Sequence, residues 1–274
     1  MDWEKAKNII ITLFLILNIF LFYNLVQEKW SPAVSKEQIS SAENILKDKG
    51  IKLNTKIPTI SGNFPKLTFQ GIPEFDLKKV TSKLLGTDKY ANSDSNLLIN
   101  GDKQISIENK YTFLYTNKSP QGDISLDNNK EIEKYLMKFL SEAGFSTDGL
   151  VLDSLDRQPD SVTVTYVQKK GDYKLFDNSI EAVVTKSGIS QLKCCLQTPS
   201  KKNNDESIMP AYKVLLKNME QLNGVVISSI DLGYTISESN DGMTGYTERL
   251  YWRVEIMDGK PLDYDAVTGE PKKE

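Results

Sequence analysis

LYWRVEIMDGKPLDYDA, residues 250–266, carries the reading of the fold. Leu250, Trp252, Val254 and Ile256 alternate with Tyr251, Arg253 and Glu255, which gives a strand one apolar and one polar face. Asp258 and Gly259 supply a turn, after which Leu262, Tyr264 and Ala266 alternate with Asp263 and Asp265. The apolar face of such a hairpin needs a cover. An antiparallel sheet backed by helices on one side is an α+β arrangement.

Upstream the same theme repeats. Tyr212, Leu215, Leu216, Met219 and Leu222 form a helical stripe closed by Asn223 and Gly224, and a strand over 225–236 follows. Ile132, Tyr135, Leu136, Phe139 and Leu140 fall at i, i+3, i+4, i+7 and i+8 and stop at Gly144, ahead of strands predicted over 161–167, 180–185 and 189–196. Nearer the amino end, Ser35 and Gln38 have the form of a capping box, with Ile39, Ala42 and Leu46 on one helical face and Gly50 as the stop. A strand over 66–70 and a helix from Asp76 to Leu85, stopped by Gly86, precede a hairpin signal at Asn100-Gly101 and a strand over 110–115. The polar segment 117–129, with Pro120 and Gly122, reads as a boundary. The expected organisation is a first α+β subdomain over 36–120 and a second over 128–274.

IIITLFLILNIFLFYNLV, residues 9–26, contains no charge and reads as a single transmembrane helix. At about 1.5 Å per residue it covers about 27 Å, close to the roughly 30 Å hydrocarbon layer. Trp3 and Trp30 would then sit at the two headgroup layers. The apolar run outlasts the core of a secretory signal, and the nearest small-x-small pattern, Ala33-Val34-Ser35, lies well past its end, so the span is read as retained. Residues 1–8 form a tail, expected in the cytoplasm, and 27–35 a stalk leading to an extracytoplasmic domain. Asn18 sits mid-span, where an amide gains from a hydrogen bond to another helix. Its face carries Ile11, Phe14, Leu15, Phe22 and Leu25, which makes these six residues the candidate partner-binding surface.

Composition removes several chemistries. There is no histidine, so no Ser-His-Asp or Cys-His nucleophile, His-containing zinc site or phospho-accepting histidine can be built. Cys194 and Cys195 are adjacent and cannot close a loop between them; a buried thiol packing as a small apolar group is expected. A net charge of -3 gives no basic excess for nucleic acid. Ser190-Gln-Leu-Lys193 and Lys186-Ser-Gly188 match penicillin-binding-protein motifs, but in the wrong order and inside one hairpin. Glu238, Glu248, Glu255, Asp258, Asp263 and Asp265 read as the wet face of a sheet, and 238–246 fails the register of an EF-hand. No catalytic residue, metal or cofactor is expected.

Two stretches carry a family resemblance. YWRVEIMDGKPLDYDAVTGEPKKE, residues 251–274, resembles the closing hairpin of a PepSY-type domain, with its D-A-x-T-G-E end at Asp265–Glu270. MDWEKAKNIIITLFLILNIFLFYNLV, residues 1–26, resembles the start of the YycI family: a short acidic-Trp-x-Lys tail, then one span with an Asn inside it. That resemblance implies a non-enzymatic, single-pass protein of the Gram-positive cell membrane. It would act with a YycH-like sister protein on the WalK (YycG) sensor histidine kinase, a controller of cell-wall metabolism, through its transmembrane helix. PepSY likeness alone would imply a membrane-tethered inhibitor or chaperone of a secreted peptidase.

Overall fold

The structure, a computed structural model, describes residues 3–30, 34–73, 76–89, 91–94, 96–109, 112–237, 247–257 and 259–272. The helices are α1 (Trp3–Trp30), α2 (Lys36–Asp48), α3 (Leu77–Leu85), α4 (Asn129–Ala143) and α5 (Ala211–Lys217). The strands of the first half are β1 (Lys52–Leu53), β2 (Asn63–Pro73), β3 (Ala91–Asp94), β4 (Leu97–Asn100), β5 (Lys103–Ile107) and β6 (Thr112–Asn117). Then come β7 (Leu150–Gln158), β8 (Ser161–Lys170), β9 (Tyr173–Thr185), β10 (Gly188–Cys195), β11 (Gln197–Ser207), β12 (Val226–Ser237), β13 (Thr247–Ile256) and β14 (Leu262–Asp265).

Local chemistry sets most helix ends. Ser35 Oγ accepts from Gln38 N at 3.2 Å while Ser35 N donates to Gln38 Oε1 at 3.0 Å, a complete capping box that starts α2. Asp76 caps α3 by accepting from Lys79 N, and Asn128 caps α4 by accepting from Lys130 N. Gly86 and Gly144 end those two helices in the left-handed region, which a side chain resists. Helix α5 departs from expectation. The stripe from Tyr212 to Leu222 is helical only to Lys217, because the Asn218 side chain donates to both Val214 O and Gly269 O, 2.9 Å each, and pins the chain to the C-terminal turn.

Twelve strands form one sheet along the path β14-β13-β12-β9-β10-β6-β5-β4-β3, with β8 on the other edge of β9 and β7 beyond it. β9 is the strand on which the sheet turns. Its start pairs in parallel with β12 (Lys174 with Gly233), whereas its end pairs antiparallel with β10 (Ile180 with Cys194). Asn178 sits at the changeover, 1% exposed. Its amide donates to Gln168 Oε1 and Gln197 O and its oxygen accepts from Gln197 N, so this buried side chain is fully partnered and ties β9 to β8 and to the start of β11.

Two buried clusters lie along this sheet. The first gathers α3, α4 and β4–β6 with the first part of β8, the end of β9 and β10; Phe113, Leu136, Leu140, Ile180 and Leu192 are its centre. The second gathers α2, α5 and β12–β14 with Leu67 of β2 and Leu175 of β9, around Leu46, Trp252, Val254 and Tyr264. The cores do not part at 120–128. Ile124 and Leu126 are buried in the first cluster, which draws on both sides of that segment, and 36–70 contributes to the second. A second departure is the pair β2 and β11, a separate antiparallel ribbon. β11, QTPSKKNNDES, has no apolar alternation, and its register is held by β2 together with the Lys66–Glu206 ion pair at 2.6 Å.

Candidate functional site

α1 holds the sequence-predicted surface. Ile11, Phe14, Leu15 and Asn18 fall at i, i+3, i+4 and i+7 and, with Ile10, line one shallow apolar hollow of about 280 Å³. Phe14 is 65% exposed and Leu15 56%, although both are as apolar as the residues of the two cores. The Phe22 and Leu25 side chains lie outside the described residues. The helix satisfies part of its own polarity: Thr12 Oγ1 donates to Asn8 O and Asn18 Nδ2 donates to Phe14 O, each at 2.8 Å. An Asn amide has a second hydrogen and an acceptor oxygen, and neither has a partner among the described residues. Apolar side chains are described from Ile10 to Leu21, and among the described residues no helix is long and apolar enough to cross a membrane.

The other sequence candidates resolve into structural roles. Ser190 lies at a bulge in β10 and donates its hydroxyl to Val183 O at 3.2 Å, while Lys193 is exposed on the same strand. Nothing there aligns a base with a nucleophile. Asp263 accepts two bonds from Arg253, 2.8 and 2.9 Å, in a bidentate pair, and Asp265 caps the turn that follows by accepting from Val267 N and Thr268 N. Glu238, Asp258 and the 238–246 loop lie outside the described residues, as does the Glu248 side chain. Cys194 is fully buried in the first core, where burial pushes its thiol well above the usual range; Cys195 is half-buried. Among the described residues no group of three potential ligands gathers for a metal.

The densest electrostatic arrangement was not legible in the sequence. Lys174 Nζ of β9 stands 2.9 Å from both Asp153 of β7 and Asp231 of β12, near the start of β9, where its parallel pairing with β12 lies. Burial alone would lower the lysine, but Asp231 and Asp153 outweigh it and hold the ammonium raised, so it is charged at any physiological pH. Beside it Arg253 lies 3.9 Å over the Phe176 ring, and the Phe176 ring in turn fills the space that a side chain on Gly233 would need. Glu255, on the same face, is raised first by burial and then by Asp153. The cluster fastens β7, which borders the first core, to β9 and to β12 of the second. Lys174 is paired with Asp153 and Asp231, and Arg253 with Asp263, which fits a staple rather than a reaction centre.

Comparison with known proteins gives three findings. The model of the YycI protein family matches residues 31–265. No curated protein sequence matches the chain. Among solved structures, an uncharacterised protein from Eubacterium rectale ATCC 33656 shares the fold at a TM-score of 0.51 and 15% identity, covering 82% of this chain and 91% of that one. The C-terminal domain of Bacillus megaterium YpeB aligns at a TM-score of 0.42 and 12% identity over 72% of this chain and 93% of that one. The family match spans both buried cores and the sheet that joins them, so the chain belongs to the YycI family.

Proposed function

We propose that this chain is a membrane-anchored, non-enzymatic regulator of a two-component system, acting on a WalK (YycG)-like sensor histidine kinase together with a YycH-like partner. Membership of the YycI family carries the reading. In it α1 crosses the cell membrane with residues 1–8 in the cytoplasm, and both cores lie outside. The working surface is the face of Ile11, Phe14, Leu15 and Asn18, continued by Phe22 and Leu25. Bulky apolar side chains dock against a neighbouring span by van der Waals contact, and the unused half of the Asn18 amide supplies one interhelical hydrogen bond. Docking that favours one of the kinase's two signalling states by about 1–3 kcal/mol changes output severalfold or more.

The test exchanges residues 9–26 for an unrelated span and measures kinase retention on the tagged full-length chain and expression from a kinase-controlled promoter. The expected result is loss of both with the ectodomain still folded. Retention of the kinase by the exchanged chain would place the working surface outside the membrane and end this reading.

A further inference from the structure

An open cleft of about 570 Å³ lies beside the first core, lined by none of the residues of α1 or of the ionic staple. That is within the roughly 300–1,000 Å³ of small-molecule sites. Several separate elements build it: the end of α3, the β4–β5 turn, the end of β6, the segment 119–121 and one face of α4. Its apolar surface comes from Tyr135 and Phe139, one helical turn apart on α4, with Tyr115 beneath Phe139 at a ring separation of 6.2 Å. Its rim carries the side-chain amides of Asn117 and Gln121.

Charge narrows the ligand. Asp102 and Lys103 are the only ionised residues of the lining and they offset each other. Lys103 Nζ also stands at the C-terminal end of α3, 3.9 Å from where a β-carbon on Gly86 would be, and there it answers the negative end of the helix dipole. A phosphate or carboxylate ligand would therefore meet one lysine set beside an acidic residue rather than a cluster of cations. An extended peptide would find no backbone to pair with, because β4, β5 and β6 each have a strand on both edges. What remains is amide groups that both donate and accept, tyrosine hydroxyls, and the flanks of aromatic rings. Burial pushes Tyr115 up to about 12 and raises Tyr135, so both hydroxyls keep their protons at neutral pH. We infer that this cleft binds a short neutral saccharide, with Tyr135 and Phe139 against an apolar sugar face and Asn117 and Gln121 on the ring hydroxyls. The inference stands independently of how α1 works, and it makes the extracytoplasmic half a ligand receptor as well as a scaffold.

The full-length chain, kept in a non-glycosidic detergent so that maltoside head groups do not compete, would be titrated with cellotriose, maltotriose and N,N′-diacetylchitobiose. Saturation-transfer NMR would detect binding and calorimetry would measure it. Trigalacturonate and a hexaglycine peptide serve as the anionic and peptide counterparts. At least one neutral saccharide is expected to bind with Kd of about 1 mM or tighter. Gln121→Ala removes an exposed amide that makes no hydrogen bond among the described residues, and Tyr135→Phe removes one hydroxyl; each is expected to weaken binding roughly threefold to tenfold, the worth of one hydrogen bond. Thermal melts of both variants report that the fold is intact. Absence of binding by all three saccharides, affinity unchanged in both variants, or tighter binding of the galacturonate or the peptide would each overturn the proposal.

Discussion

The same kinds of side chain meet opposite fates in α1 and in the second core. Phe14 of α1 is 65% exposed, whereas Trp252 of β13 is 0% exposed, its indole N–H donating to Met209 O at 2.8 Å. Both stretches are apolar in sequence; the difference lies in what surrounds them. β13 alternates, so one face finds α2 and α5 and the other stays polar. α1 is apolar all round, and a helix of that kind has no wet side to offer. Its burial requires an apolar medium or another helix, which the two cores do not provide.

That contrast can be broken by mutation, and the largest effect is expected in the core. Trp252→Ala should cost about 3–5 kcal/mol, since it opens a cavity and strands the Met209 carbonyl, and thermal unfolding would report it as a large drop in Tm. Phe14→Ala should leave that Tm within the change of about 0.5 kcal/mol typical of a surface site while weakening kinase retention. An equal fall in Tm for the two variants would mean that α1 packs on one of the two cores.

The ionic staple comes next. Lys174→Met leaves Asp153 and Asp231 facing each other without their cation and should destabilise by about 1–3 kcal/mol, less than a fully buried pair because the group keeps some exposure. Lys174 is raised in the folded state, so its contribution is complete below the ordinary lysine range and is lost only as pH climbs through the raised value. A destabilisation by Lys174→Met that is the same at pH 6 and pH 8 checks the sign.

The cysteine pair sharpens the inside-outside contrast at one step of the chain. A thiol reagent should modify Cys195 in the folded protein and Cys194 only on unfolding, and Cys194→Ser should cost more stability than Cys195→Ser because it buries a hydroxyl among apolar neighbours. Equal reactivity of the two would show that β10 opens readily. The smallest effect belongs to Glu255. Its carboxyl is raised by burial and by Asp153, so folding favours its protonated form, and its ionisation subtracts stability as pH rises through the raised value. Glu255→Gln should therefore stabilise modestly at pH 7, with the difference from the parent chain vanishing below the ordinary carboxylate range.

Reading the sequence located the helix caps at Ser35, Asp76 and Gly144, the hairpin at Asn100-Gly101 and the closing β13–β14 hairpin, because each depends on residues within a few positions of one another. It also singled out the α1 face, since helical spacing alone groups Ile11, Phe14, Leu15 and Asn18. It missed β7 and β11, whose apolar residues keep no period of two and whose places come from their partners β8 and β2. The partition of the cores was equally out of reach, because segment 36–70 crosses the chain to join β12–β14.

By itself the sequence determined the helix caps and the hairpin turns, the exclusion of histidine chemistry and the all-round apolar character of α1, all of them local properties of composition and spacing. Only the tertiary structure decided that β9 serves both cores, that Asn178 fills the changeover, and that Lys174 meets Asp153 and Asp231. These depend on which distant strands lie side by side, and pairing of distant strands is set by the competition among whole-chain packings rather than by any one segment's pattern.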